Sequence, residues 1–254
     1  MTRASIRSLA LIAALAGATA ATAEEIDFGN MTPDQEIAFG IKVREYLLQN
    51  PQVIMEAVSV LEQREADQMA AADEQLVSDN MDALVNDGFS WVGGNPDGDI
   101  TIVEFSDYRC GYCRKAHPEV QELIESDGNI RFILKEFPIL GEASLTSSKF
   151  AIATKIVAGD DAYKQVHDAL ITLGGAPEEP TLKRIADSLG LDADAIMAEM
   201  ESDEVTSRIA ATHDLAAKMQ INGTPSFLMA GEMVRGYVPL AAMRDIVGKA
   251  RAAN

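Results

Sequence analysis

The spacing of apolar residues divides the chain into a helical N-terminal part and a mixed part that begins near residue 89. Thr32 is followed by Pro33 at the next position and by Gln35 three residues on, which is the pattern of a capping box at a helix start. Apolar residues then recur at helical spacing along two successive stretches, which predicts two amphipathic helices separated near residue 50. Beyond residue 61 the pattern becomes polar on all sides, as in a helix that lies in solvent or runs between two bodies.

Two arrangements fit this N-terminal segment, residues 24–88. Two amphipathic stripes ahead of a polar helical stretch favour an oligomerising stalk, in which residues 32–86 of several copies bury their apolar faces against one another. The alternative is a helical cap that lies on the main domain of the same chain. We expect a homo-oligomer, because the compact part of the chain begins only after this segment.

Residues 89–254 combine strand and helix patterns in the order of an α/β domain. After a short strand at 89–92, the β-branched and aromatic run Ile100–Phe105 is typical of a buried central strand, and Ile130–Phe137 has the same character. A helical pattern at Lys115–Ser126 lies between these two runs. Strand, helix and strand in this order predict a βαβ unit with two parallel strands.

A helical insertion interrupts this domain at about residues 140–217. Five helices are predicted within it: 144–158, 161–172, 181–189, 192–200 and 203–219. The pattern then returns to short strands at Ser226–Met229 and Met233–Val234, and it ends with a helix from Pro239 to about Ala250. We therefore predict the fold class α/β for the whole of residues 89–254.

The first 23 residues have the features of a signal peptide. Arg3 and Arg7 form a basic start, Ser8–Ala18 is an uncharged apolar stretch, and Ala-Thr-Ala at 21–23 is a cleavage pattern. An uncleaved anchor is the alternative, but an apolar stretch of about ten residues is too short to cross ~30 Å of hydrocarbon at ~1.5 Å per residue. We expect an exported, soluble, periplasmic protein that does not insert into the membrane after cleavage.

Composition supports a folded protein and excludes one class of partner. Hydrophobic residues make up 47% of the chain and charged residues 24%, as in ordinary globular proteins. The formal net charge of −19 argues against binding to nucleic acid, because proteins that bind it present a basic surface to the phosphates. The acidic balance indicates solubility and identifies no substrate.

The chain has two cysteines, Cys110 and Cys113, separated by Gly111 and Tyr112. In an oxidising compartment paired cysteines usually form structural disulfides, but a bridge that closes so short a loop restrains little of the unfolded chain. At the start of a helix, unpaired N–H groups and the positive end of the dipole lower the pKa of a thiol. Three neighbouring cations would act in the same direction: Arg109, Arg114 and Lys115. Cys110 is then the expected nucleophile and Cys113 the resolving thiol, so the pair predicts dithiol–disulfide exchange.

Other uses of the cysteine pair fit the sequence less well. A haem attachment motif needs histidine directly after the second cysteine, where the chain has Arg114. Zinc could bind Cys110, Cys113 and His117, but structural zinc sites use four ligands and no second cluster follows. A Cu(I)-binding protein or a chaperone is a third possibility, although the eleven methionines are scattered. We therefore expect no metal and no cofactor, and we assign no role to the three histidines.

Two stretches resemble the thioredoxin-like thiol–disulfide oxidoreductases of the DsbA-like branch. They are Ile102–Cys113, which ends in the cysteine pair, and Gly223–Phe227, which contains a threonine and a proline at the head of a strand. The resemblance covers about residues 89–254. It implies an α/β, thioredoxin-like fold with a helical insertion, preceded by the N-terminal helical extension.

The same resemblance implies a substrate site beside the cysteines. The Thr224–Pro225 peptide bond is expected to be cis and to face the cysteine pair. The Thr224 backbone is expected to contact an extended substrate, as in the addition of a strand to a sheet edge. Gly111 and Tyr112 between the cysteines belong to this expected substrate-binding surface.

The resemblance also assigns roles to two charged residues on neighbouring strands. Glu104 matches a carboxylate that lies beneath the second cysteine and relays its proton, and Lys135 matches a lysine that pairs with that acid. A buried carboxyl has a raised pKa and can accept a thiol proton near neutral pH. The alternative for Glu104 is an ordinary strand carboxylate that faces solvent.

Finally, the resemblance bears on the direction of the reaction. The dipeptide Gly111-Tyr112 and the threonine before the proline are similar to disulfide isomerases of the DsbC-like and trimeric ScsC-like kind, the latter with an N-terminal helical extension. We therefore expect a disulfide isomerase or reductase whose substrates are cysteine-containing exported proteins. Its expected reductant is a membrane protein of the DsbD type. A monomeric dithiol oxidase that introduces disulfides is the alternative.

Overall fold

The structure, a computed structural model, describes residues 28–253. The predicted signal peptide, residues 1–23, lies outside the described residues. The chain divides into two compact units, with the division between Glu62 and Gln63. The sequence pattern predicts a segment boundary at residue 88. The difference arises because Val77 and Leu84, late in the second helix, are buried in the core of the larger unit.

The N-terminal unit contains the helix α1, Pro33–Gln49, and the start of α2, Gln52–Val85. The predicted capping box opens α1: the Thr32 side chain accepts from the Gln35 N–H, and the Gln35 side chain accepts from the Thr32 N–H. No residue of α1 is buried. Its apolar face and that of early α2 remain exposed, as at Ile37, Ile41, Leu48, Ile54 and Leu61.

A five-stranded mixed sheet forms the centre of the larger unit. The strands are β1 Trp91–Gly94, β2 Ile100–Ser106, β3 Ile130–Glu136, β4 Ser226–Met229 and β5 Glu232–Arg235, in the spatial order β1-β3-β2-β4-β5. The predicted parallel pairing of β2 and β3 is present, and the other neighbouring pairs are antiparallel. The first strand starts two residues later than we predicted, because the Asp87 carboxylate accepts the N–H groups of Phe89 and Ser90 and holds them in a turn.

Seven helices of the described chain follow α2: α3 Gly111–Asp127, α4 Glu142–Ala158, α5 Asp160–Ile171, α6 Glu179–Ser188, α7 Ala193–Glu199, α8 Asp203–Lys218 and α9 Leu240–Ala253. The run α4–α8 forms the predicted insertion, with ends within two residues of those expected. α3 begins four residues earlier than the predicted Lys115, directly after Cys110. Between residues 28 and 253, no helix is long and apolar enough to cross a membrane.

The two faces of the sheet are buried in two separate cores, because successive side chains of a strand point to opposite faces. Ile102 of β2 belongs to the larger core, which includes residues of α3, α9 and the insertion. Val103 and Phe105 belong to the smaller core, which includes residues of α8 and the last turns of α2. The even-numbered positions of β2 therefore face the same side as the helix that carries the cysteines.

Candidate active site

The two cysteines lie at the start of α3 and differ in exposure. Cys110 is the N-cap residue, with extended backbone angles, and Cys113 lies in the first turn. Both are free thiols here. Cys110 exposes 7% of its surface and Cys113 exposes none. A substrate disulfide can therefore reach the Cys110 sulfur, and Cys113 is placed to act on a bond that Cys110 has already formed.

Hydrogen bonds around the pair favour a thiolate on Cys110. The largest cause is the Cys113 side chain, whose thiol donates to the Cys110 sulfur, and the Thr224 side chain and the backbone at Tyr112 and Cys113 act in the same direction. Burial opposes them, but the net result lowers the pKa of Cys110 to about 5, against an ordinary value of 9.0. The same hydrogen bond, together with burial and the nearby Glu104 charge, raises the pKa of Cys113. The two thiols are therefore strongly unequal at neutral pH.

The cations expected to stabilise this thiolate are bonded elsewhere. The Arg109 guanidinium donates to the Gly175 carbonyl, 2.8 Å away, and Arg114 donates to the carbonyls of Tyr108 and Leu173. Lys115 places its ammonium 4.1 Å from the centre of a tyrosine ring. The pKa of Cys110 is therefore lowered by hydrogen bonds and not by these cations. The two arginines instead anchor the cysteine loop to the insertion.

Asp107 is a buried carboxylate that fixes the loop before the cysteines. Its Oδ1 accepts from the Arg109 N–H at 2.7 Å and from the Ser144 hydroxyl at 2.7 Å. Its Oδ2 accepts from the N–H groups of Ile139 and Leu140, at 2.8 and 3.1 Å. The side chain is 1% exposed. One carboxylate therefore ties the cysteine loop to the entrance of the helical insertion. Sequence reasoning gave this residue no role, since its partners in the insertion and before it lie more than thirty positions away.

The expected substrate-binding residues surround the Cys110 sulfur. The Thr224–Pro225 bond is cis, and the Cys110 thiol, while it is protonated, donates to the Thr224 carbonyl oxygen 3.1 Å away. A groove of about 160 Å³ is lined by Asn222–Ser226, Arg235 and Gly236. Tyr112 is 63% exposed and stacks on Tyr237, whereas a Cβ atom at Gly111 would meet no other atom within 4 Å. A substrate chain beside the sulfur would thus meet the Thr224 backbone, the unobstructed Gly111 and the exposed ring of Tyr112.

Glu104 lies in the middle of β2 and is buried, not exposed to solvent as in the alternative interpretation. It exposes 4% of its surface. Burial is the main reason that the pKa of Glu104 rises to about 7, and the negative charges of Cys110 and Glu136 act in the same direction, against a hydrogen bond from Ser106. The Glu104 charge in turn raises the pKa of Cys113. A carboxyl that titrates near neutral pH is thus electrostatically coupled to the resolving thiol.

Lys135 does not pair with Glu104, which corrects the expectation drawn from the resemblance. In the parallel register Glu104 lies opposite Leu134, so Lys135 points to the other face of the sheet. There its Nζ lies 2.5 Å from an Asp87 carboxylate oxygen and 3.0 Å from the Ala83 carbonyl oxygen. The lysine is 1% exposed. It fastens the end of α2 to the sheet and has no contact with the cysteine site.

A second buried carboxyl, Glu136, lies at the end of β3 on the cysteine side. It accepts hydrogen bonds from the hydroxyls of Tyr108, Tyr163 and Ser148 at 2.7, 2.5 and 2.7 Å. Burial is the main cause that raises the pKa of Glu136 to about 7, in opposition to these hydrogen bonds. No sequence pattern pointed to Glu136, because it lies within the run Ile130–Phe137, which the sequence analysis interprets only as a strand.

Comparison with known proteins adds an independent line of evidence. Residues 101–248 match a family model described as a DSBA-like thioredoxin domain, and residues 35–68 match one described as the copper resistance protein ScsC N-terminal domain. A thioredoxin-like oxidoreductase from Silicibacter pomeroyi is 42% identical, with a TM-score of 0.63 over 68% of this chain and 98% of that one. A linker-deletion mutant of ScsC from Proteus mirabilis is 22% identical and shares the fold, with a TM-score of 0.66 over 88% of this chain and 98% of that one.

Among curated sequences, a Na⁺/H⁺ antiporter of Salinispora tropica is 28% identical over 156 residues, which is 61% of this chain. That match covers 24% of the antiporter's length. The chain thus spans about a quarter of the first curated relatives that it matches, with the same 24% for an antiporter of Salinispora arenicola.

Proposed function

The chain belongs to the DsbA-like thiol–disulfide oxidoreductase family, and on this premise we propose that it acts as a disulfide isomerase or reductase on exported proteins in the periplasm. The inequality of the two thiols carries the thiol–disulfide exchange, and the exposed apolar face of α1 favours an isomerase over an oxidase. Cys110 reaches the surface and its pKa is lowered to about 5, whereas Cys113 is fully buried and its pKa is raised. A nucleophile and a resolving thiol need these opposite properties.

The first step is attack by the Cys110 thiolate on one sulfur of a substrate disulfide. A bond forms between Cys110 and that sulfur, the substrate S–S bond breaks, and the second substrate sulfur leaves as a thiolate. In isomerisation, a different substrate thiolate then attacks the sulfur bonded to Cys110. A new substrate disulfide forms and Cys110 leaves as a thiolate, so no electrons are gained or lost overall.

Reduction is the second outcome of the same mixed disulfide. Cys113 loses its proton and attacks Cys110 Sγ, which releases the substrate thiolate and leaves Cys110 and Cys113 bridged. Glu104, which titrates near neutral pH beside this thiol, is suited to accept that proton. The enzyme has then lost two electrons. A dithiol reductant must restore it, and a membrane protein of the DsbD type is our candidate.

The N-terminal unit supports an oligomeric isomerase. Large apolar side chains of α1 are exposed along its length, with Ile37 and Leu48 at 63% and 64%. Monomeric soluble proteins rarely leave a continuous apolar surface of this kind uncovered. The match of residues 35–68 to the ScsC N-terminal domain model points to the same segment. We propose that residues 32–86 join copies of the chain so that several cysteine sites face one substrate.

A test combines solution mass with the refolding of a substrate that carries scrambled disulfides. The variant Ile41→Glu/Leu48→Glu charges the exposed face of α1, and Val157→Glu, at an exposed position of α4, is the matched control. The native protein and the control should be oligomers that refold the scrambled substrate. The α1 variant should be a monomer that has lost refolding activity but still exchanges a small disulfide. A native protein that is a monomer without refolding activity would exclude the isomerase.

The oxidase is the second candidate, and the pKa of Cys110 favours it. A thiolate that is stabilised in the reduced enzyme makes the disulfide form a stronger oxidant. An oxidase should form disulfides in a reduced peptide stoichiometrically, and the rate should be equal in the oligomer and in the Ile41→Glu/Leu48→Glu variant. An isomerase should accumulate in its reduced form in the periplasm, whereas an oxidase should accumulate in its oxidised form, which alkylation of free thiols in whole cells distinguishes.

A further inference from the structure

Two histidines and an aspartate come together behind the cysteine helix. His117 follows Cys113 by one turn of α3, and His167 and Asp168 lie side by side near the end of α5. One ligand atom from each of the three side chains lies within 4.8 Å of the others. Among the described residues this is the one group of His, Cys, Asp and Glu side chains with such spacing, and it includes neither cysteine.

The surroundings of His167 leave one ring nitrogen available as a ligand. The Tyr108 hydroxyl donates to Glu136 at 2.7 Å and lies 3.0 Å from Nδ1 of His167. Because that hydroxyl has already used its proton, its oxygen is the acceptor for Nδ1–H, and the lone pair then belongs to Nε2. Histidines that bind metals are held in this way, with the second nitrogen donating to an outer partner.

The spacing of His117 and Asp168 fits a shared cation. Nε2 of His117 lies 3.3 Å from Oδ1 of Asp168. That oxygen is shielded from solvent, and apart from this ion pair with His117 it has no hydrogen-bond partner among the described residues. Two ligand atoms bound at about 2.0–2.1 Å to a tetrahedral zinc ion are about 3.3 Å apart, which is the separation found here. The ring centres of the two histidines are 5.2 Å apart and the rings are inclined at 63°, and one nitrogen of each lies within 4.8 Å of the other.

We propose that His117, His167 and Asp168 bind a divalent transition-metal cation, with zinc as the best match, at a site distinct from the cysteine pair. Two imidazoles and one carboxylate are ligands of the class that zinc prefers, and three protein ligands leave the fourth position to water. The bound ion would join the helix that carries Cys113 to the helical insertion through α5.

One neighbour weakens the proposed site and supplies a sharp test of it. The ammonium of Lys164 lies 2.5 Å from Oδ2, the other carboxylate oxygen of Asp168. A positive charge so close to the ion opposes its binding electrostatically. Removal of this charge in Lys164→Met should therefore increase the affinity for zinc several-fold, an effect that loss of an unrelated surface lysine would not produce.

The experiment measures binding of zinc chloride to the full, oxidised protein by calorimetry, because the Cys110–Cys113 disulfide removes both thiols as ligands. We expect one ion per chain. His117→Ala and Asp168→Asn should weaken binding by ~100-fold or more, and Tyr108→Phe, which removes the outer partner of His167, by about 10–100-fold. The control is His213→Ala, which changes the one histidine outside the group and should leave the affinity unaltered. Circular dichroism verifies that each variant is folded.

A second measurement identifies the ligands directly. Cobalt(II) in the same oxidised protein should give the intense visible bands of tetrahedral coordination without a sulfur-to-cobalt charge-transfer band. The proposal is overturned if the oxidised protein binds no zinc. It is overturned equally if His117→Ala and Asp168→Asn bind zinc as tightly as the native protein, or if zinc binds only to the reduced protein through its cysteines.

Discussion

The replacement Glu104→Gln tests whether a titrating carboxyl is buried beneath the cysteines. Glu104 is 4% exposed, and burial is the largest cause that raises its pKa from an ordinary 4.5 to about 7. A carboxyl with a higher pKa in the folded than in the unfolded protein stabilises the fold while it is protonated. This contribution is fully present below 4.5 and is lost as the pH rises through about 7.

The magnitude follows from the size of the shift. One pKa unit corresponds to roughly 1.4 kcal/mol, so between about pH 5 and about pH 8 the native protein loses about 2–3 kcal/mol of stability through this group alone. Glutamine occupies nearly the same volume and does not titrate. Relative to the native protein, Glu104→Gln should therefore become about 2–3 kcal/mol more stable over this pH range.

The assay is urea unfolding of the reduced native and Glu104→Gln proteins at several pH values, followed by far-ultraviolet circular dichroism. The quantity compared is the difference between the free energies of unfolding of the two proteins. Cys110 and His167 also change charge in this pH range, but both proteins contain them, so their contributions cancel in the difference. Glu125→Gln, at an exposed position of α3, is the control and should show no such trend. A difference for Glu104→Gln that does not vary with pH would refute the buried, titrating acid.

Three further replacements test the structural assignments. Lys135→Met leaves Asp87 without its buried partner and should lower the free energy of unfolding by about 3–5 kcal/mol in chemical denaturation. The pKa of Cys110 should stay unchanged. Native stability together with an altered Cys110 titration would instead assign Lys135 a role at the cysteine site. Asp107→Ala removes the acceptor of three backbone N–H groups, each of which costs about 1–3 kcal/mol when it is buried unpaired. Thermal unfolding should therefore show that the free energy of unfolding falls by at least about 3 kcal/mol. The control Asp107→Asn should show a smaller decrease. Glu136→Gln should reproduce the pH trend of Glu104→Gln, since burial raises its pKa to about 7 as well, and a flat profile would contradict this.

Local periodicity predicted the architecture well where an element is long and regular. The strands Ile100–Ser106 and Ile130–Glu136 and the five helices of the insertion follow directly from β-branched runs and helical spacing. The compact units divide at residue 62 and not at residue 88, because the last turns of α2 are buried, and nothing local in the sequence marks Val77 and Leu84 as core residues. Their burial depends on the distant surface against which they pack.

The site was predicted in part, for a related reason. The spacing of Cys110 and Cys113 pointed to the cysteine pair, whereas the cis Thr224–Pro225 bond was expected from the family resemblance alone. The partner of Lys135 was wrong, since the sheet register decides which face a strand residue occupies. The proposed ligand pair of His117 and His167 had no sequence signal at all, because fifty residues separate them and only the packing of α3 on α5 brings them together.

The central claim is that Cys110 carries a negative charge at neutral pH while Cys113 remains protonated. Titration of the thiolate absorbance of the reduced protein, with Cys113→Ser and Cys110→Ser as single-thiol references, tests it directly. The native protein should show one transition near pH 5, the value to which the pKa of Cys110 is lowered, and Cys110→Ser should show none below the ordinary cysteine value of 9.0. A first transition of the native protein near that ordinary value would contradict the account.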